Sequence, residues 1–204
     1  MSIAEPLVQV RLIAILRGDY GNRWQEYADA LMAGGVTALE ITLNSPGAVE
    51  GIRELKASIG DRVTLGAGTV LTAEQAHTAI DAGAQFIVAP DTDEAMISVC
   101  RARNIPVMPG AYTATEIKRA YQLGATLVKV FPAPGPDYIK AIRGPLDHIP
   151  LMVTGGVALD NVADYFKAGV TAVGLSGNLV KPGLSADEIT ERAKAFIAAI
   201  KGAI

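Results

Sequence analysis

The 204-residue chain has one cysteine, Cys100, and two histidines, His77 and His148. A lone cysteine closes no internal disulfide, so the expected state is a free core thiol in a reducing compartment such as the cytoplasm. His77 falls in a helical stretch and His148 in a polar loop, and no His or Cys pair has ligand spacing, so no metal is expected. No basic cluster interleaved with aromatics occurs and the net charge is −3, which argues against nucleic acid as the main partner. No apolar run approaches the roughly 18–20 residues that cross a bilayer. Glu5 stands where an export leader would carry cations, and the apolar run "LIAIL" that follows is too short for one. Dinucleotide fingerprints and serine nucleophile elbows are missing too, so no cofactor is implied. A small molecule is the remaining default partner.

What the chain has is apolar residues, which make up 50% of it. They fall in short β-type runs: "LIAIL" from Leu12, "ALEIT" from Ala38, "VTLGAG" from Val63, "FIVAP" from Phe86, "PVMPG" from Pro106, "LVKVF" from Leu127, "LMVTGG" from Leu151 and "AVGLSG" from Ala172. Their starts are about 20–26 residues apart, the length of one parallel crossover unit. Helical stripes lie between them, such as Trp24, Tyr27, Ala28 and Leu31, then Val49, Ile52, Leu55 and Ile59. Capping-box patterns begin at Thr72, Thr113 and Ser185. Glycines after Ala33, Ala82, Leu123 and Ala168 mark helix ends at intervals of about 41–49 residues, two units at a time. Eight alternating units over residues 1–204 predict a single (β/α)8 barrel, with an open doubly wound sheet as the alternative.

In such a barrel the chemistry sits at the C-terminal strand ends and the loops beyond them. Lys129 and Glu40 are the only ionisable residues inside strand runs, on the sixth and second strands. Both strands are even-numbered, so their inward side chains share a layer near the axis. Burial of an ammonium is costly, and two readings stay open: a buried ion pair, or an amine kept partly neutral for attack on a carbonyl beside a proton-moving carboxylate. "VTGGV" with Thr154, Gly155 and Gly156, and "GLSGN" with Ser176 and Gly177, close the last two strands, where barrels of this type bind phosphate through backbone amides. Arg17 and Thr69, just past the first and third strands, could hold a carboxylate. Pro90 and Pro109 read as shapers of strand ends.

The motifs "LIAILRG", "ALEITLNSP", "GAGTVLT", "FIVAP", "MPGAYTATE", "LVKVFPA" and "VTGGV", in this order and spacing, resemble the lysine-dependent 2-keto-3-deoxy-6-phosphogluconate and 6-phosphogalactonate aldolases over essentially the whole chain. The resemblance implies a Schiff base on Lys129, proton transfer by Glu40 and cleavage to pyruvate and glyceraldehyde 3-phosphate. It places Arg17 and Thr69 near the pyruvyl carboxylate, Phe131 and Pro90 in the pocket wall, and Thr154 beside the substrate hydroxyls. Gly155, Gly156, Ser176 and Gly177 match the phosphate turns. It also implies a homotrimer. Two departures bear on the epimer at C4: Leu43-Asn44-Ser45 follows the galactonate pattern, whereas Thr154 follows the gluconate one. A barrel that binds phospho-sugars without turning them over, and an aldolase for 4-hydroxy-2-oxoglutarate, are the alternatives.

Overall fold

The computed structural model describes residues 10–204, so the leader argument that turned on Glu5 lies outside it. The described residues form a parallel sheet rolled into a barrel with helices around it. Its strands are β1 (Leu12–Leu16), β2 (Ala38–Thr42), β3 (Thr64–Gly68), β4 (Phe86–Val88), β5 (Val107–Met108), β6 (Gly110–Ala111), β7 (Val128–Val130), β8 (Leu151–Thr154) and β9 (Ala172–Leu175). The helices are α1 (Trp24–Ala33), α2 (Ala48–Ile59), α3 (Ala73–Asp81), α4 (Glu94–Ala102), α5 (Ala114–Leu123), α6 (Pro136–Arg143), α7 (Val162–Lys167) and α8 (Ala186–Lys201). Strand order is β5-β4-β3-β2-β1-β9-β8-β7-β6, every neighbour parallel.

Where eight strands are expected the sheet has nine segments, because Pro109 divides the fifth. Proline offers no N–H to a ladder. Upstream of it β5 pairs with β4, and downstream β6 pairs with β7. The seam is closed by Thr126 N donating to Val107 O at 2.8 Å, Lys129 N to Pro109 O at 2.9 Å and Phe131 N to Ala111 O at 3.2 Å. Gly110 has to be glycine here, since a Cβ would collide with the Pro90 carbonyl.

Two apolar layers explain the composition. Ile13, Ala38, Phe86, Val88, Met108, Leu127, Met152 and Ala172 fill the barrel interior. The opposite strand faces pack on the helices, so most strand residues are buried on either side. The Phe86 ring occupies the space that Gly66 leaves by lacking a side chain. Trp24, Tyr27, Ala28 and Leu31 are all buried, as the stripe on α1 requires, and Ile52, Leu55 and Ile59 are buried on α2.

Thr113 and Ser185 make complete capping boxes with Glu116 and Glu188. Thr72 caps Gln75 N, but the Gln75 side chain accepts from Leu71 N at 2.7 Å, one residue before the cap. The C-terminal glycines take the left-handed conformation, with Gly35, Gly83, Gly124 and Gly169 at φ 91°, 111°, 108° and 98°. Cys100 is a buried free thiol on α4, its pKa pushed up to about 12 by burial. Among the described residues no helix is long and apolar enough to cross a membrane.

Candidate active site

β7 alternates Val128 and Val130 outward against the helices with Lys129 inward. Lys129 is only 5% exposed, and its Nζ stands 5.0 Å above the centroid of the Phe131 ring. Burial lowers its pKa; the nearby Glu40 carboxylate works against that, and Arg17 adds to it. Glu40 reaches the axis from β2 and is 1% exposed. Burial pushes its pKa up to about 7, although Lys129 and Arg17 pull the other way. For both partners burial outweighs attraction, so each is brought toward its neutral form. Glu40 Oε2 has no hydrogen-bond partner among the described residues.

Gly68 on β3 makes room for this carboxylate, because a Cβ there would overlap Glu40 Oε1. Just past β3, Thr69 takes a left-handed backbone at φ 56°, a conformation that costs a β-branched residue energy and clusters at functional sites. Its Oγ1 accepts from Arg17 Nη2 at 3.1 Å.

The last two strands supply the opposite wall. Thr154 Oγ1 donates to Gly174 O at 2.8 Å, which commits its proton and leaves the oxygen as an acceptor. Gly155 and Gly156 follow at φ 80° and 98°. After β9, Leu179 N and Val180 N fold back on Ser176 O at 2.7 and 2.8 Å, closing a turn. The amides of Gly155, Gly156, Ser176 and Gly177 have no acceptor among the described residues. Four such N–H groups thus lie on two loops that line the same cavity, the kind of main-chain donor that suits an anion.

Arg17, Lys129, Phe131 and Thr154 thus line one cavity of about 370 Å³ together with Gly155-Gly156 and Ser176-Gly177. Among the described residues, Arg17 and Lys129 are the only charged side chains on its wall. Glu40 lies behind the wall, and Thr69 joins through Arg17. Pro90 opens on an adjoining cavity of about 460 Å³ with Asp91, Tyr112 and Arg119, and Phe131 stands between the two. Asn44 is exposed and lines neither.

The sequence did not single out Asn178 or Asn161. Asn178 Nδ2 donates to Val157 O at 2.8 Å, linking the two glycine loops. Asn161 spans its own loop, donating to Gly156 O at 3.0 Å and accepting from Ala158 N at 2.9 Å. Single asparagines in polar loops carry no periodic signal. Among the described residues no three His, Cys, Asp or Glu side chains converge as a metal-ligand cluster.

This geometry agrees with what the chain is similar to. The family model for KDPG and KHG aldolases matches residues 3–188. The chain belongs to that family. A probable 2-dehydro-3-deoxy-6-phosphogalactonate aldolase of Rhizobium meliloti is 38% identical over 95% of this chain and 93% of its own. A 2-dehydro-3-deoxy-phosphogluconate aldolase of Treponema pallidum is 38% identical over 81% and 80%. A solved structure titled as native KDPGal superposes with a TM-score of 0.90 at 36% identity, covering 94% of this chain and 95% of that one. As a member of the KDPG and KHG aldolases, the chain is an aldehyde-lyase on a (β/α)8 barrel.

Proposed function

We propose that this aldolase cleaves 2-keto-3-deoxy-6-phosphogluconate, its galactonate epimer, or both, to pyruvate and glyceraldehyde 3-phosphate through a Schiff base on Lys129. The observation that carries the reading is a buried amine, its pKa lowered by burial, in one cavity with four main-chain amides that have no acceptor among the described residues. The neutral amine attacks the C2 ketone, and loss of water from the carbinolamine leaves an iminium. Glu40 takes the C4 hydroxyl proton through a bridging water as the C3–C4 bond breaks. The bond's electrons pass into the iminium, giving an enamine and an aldehyde. Protonation at C3 and hydrolysis then release pyruvate and free Lys129.

Arg17, steadied by Thr69, holds the C1 carboxylate; Phe131 shapes the pocket wall, and Pro90 that of the adjoining cavity. Thr154 accepts from a substrate hydroxyl, since its own proton is committed to Gly174. Gly155, Gly156, Ser176 and Gly177 bind the phosphate by main-chain donors alone.

The test is intact mass and peptide mapping after incubation with pyruvate and borohydride. A reduced pyruvate adduct on Lys129, lost in Lys129→Ala together with turnover, is the expected result. A folded protein that forms no adduct overturns the lysine chemistry. The family likeness also suggests a homotrimer in the cytoplasm; light scattering on the eluted protein should give the mass of three chains, and a monomer would remove that assembly.

A further inference from the structure

We infer that Ser45 and Thr42 are positioning residues for Arg17, forming a clamp of two hydroxyls on the main chain at both sides of it. The inference rests on the proposed reaction, in which Arg17 holds the keto acid's carboxylate.

Thr42 ends β2 and Ser45 lies in the turn that follows, and both are buried. Their Oγ atoms are 2.9 Å apart. Gly18 N donates to Ser45 Oγ at 3.0 Å, and Thr42 Oγ1 donates to Leu16 O at 3.4 Å. A carbonyl only accepts, so Thr42 is the donor to Leu16 O, while either hydroxyl can donate in the 2.9 Å bond between them. The result is a chain of hydrogen bonds linking Gly18 N–H, Ser45, Thr42 and Leu16 C=O. Its two ends are the residues before and after Arg17.

Arg17 itself is exposed, and among the described residues its guanidinium is held by one bond, to Thr69. The direction in which such a side chain leaves the wall is therefore set by its main chain. Neither hydroxyl lines the cavity, so an effect on the substrate has to pass through another residue, and what the two hydroxyls hold is the main chain on both sides of Arg17. The turn does not depend on the hydroxyl: Ser45 N donates to Thr42 O at 2.9 Å and Ala48 N to Ser45 O at 3.2 Å, main-chain bonds that an alanine keeps.

The test uses the full chain with Ser45→Ala, Ser45→Thr, Arg17→Ala and the Ser45→Ala/Arg17→Ala double variant. Two quantities are read: hydrogen exchange of the Gly18 amide, and the pyruvate concentration that half-saturates borohydride trapping at Lys129. Ser45→Ala should speed Gly18 exchange and raise half-saturation about five- to tenfold, the loss of roughly one buried hydrogen bond. Ser45→Thr, which keeps the hydroxyl, should restore both. In the Arg17→Ala background Ser45→Ala should add nothing. Unchanged Gly18 exchange overturns the clamp, and an equal shift with and without Arg17 makes Ser45 merely structural. Wild-type protein that traps no adduct overturns the lysine chemistry and this role with it, whereas normal trapping that Ser45→Ala leaves unmoved overturns the clamp alone.

Discussion

Glu40 keeps a carboxylate at the barrel axis because Gly68, one strand over, has no side chain to occupy that place. Gly68→Ala should therefore cost about 1–3 kcal/mol in urea unfolding and most of the turnover, since overpacking moves the carboxylate itself. Unchanged stability and rate would mean that Glu40 has other room. The same carboxylate sets a pH dependence. Its pKa stands at about 7, and the proposed cleavage needs it as a base, so kcat/KM should rise with pH through about 7. Glu40→Gln should remove that limb along with most of the rate. Lys129 and Glu40 were legible in the sequence because ionisable residues inside apolar strands are costly. The partners of their neighbours were not: the Thr42–Ser45 pair, and Asn178 on Val157, depend on contacts between separate loops. Pro90 was legible as a strand end, but not as a residue opening on the adjoining cavity.

At the scale of elements, the alternation of strands and helices follows from local chemistry that the sequence displays openly. Strands bury both faces and so read as continuous apolar runs, while caps and terminal glycines punctuate the helices. Two details needed the tertiary structure. Pro109 divides a strand because its two neighbours pair with different halves, and α4 is capped by Asp93, whose carboxylate accepts from Met96 N at 2.6 Å. No acidic or amide residue stands three positions after Asp93 to mark a box, since Met96 is there. Ser185 offers a test of the caps. Its hydroxyl and Glu188 satisfy each other's neighbouring amides at the start of α8, the last and longest helix. Ser185→Ala should cost about 1 kcal/mol in chemical denaturation without changing pyruvate trapping, because α8 contributes no residue to the cavity. A loss of trapping would show that the outer helices are coupled to the site.

For the molecule as a whole, the site is a cost that the rest of the barrel carries. A continuous apolar interior surrounds one carboxylate and one ammonium, each disfavoured in its charged form by burial. The pH at which that cost is felt follows from the direction of the Glu40 shift. A carboxyl whose pKa rises from its ordinary 4.5 to about 7 on folding binds its proton more tightly in the folded chain. Its contribution is then most favourable below pH 4.5, declines as pH rises, and is fully lost above about 7. Glu40→Gln removes the ionisation, so the variant's advantage over wild type should be absent near pH 4.5 and grow until about pH 7.5. Removing the carboxylate also takes away the attraction that favours the Lys129 ammonium, which offsets part of the gain. The net difference should reach on the order of 2 kcal/mol. Urea unfolding of both proteins across pH 5 to 8 measures it, and a variant less stable than wild type at pH 8 would show that the pair stabilises the fold. With the expected sign, the substitution makes the barrel more stable while slowing cleavage, which is the relation expected where function rather than folding keeps a charge buried.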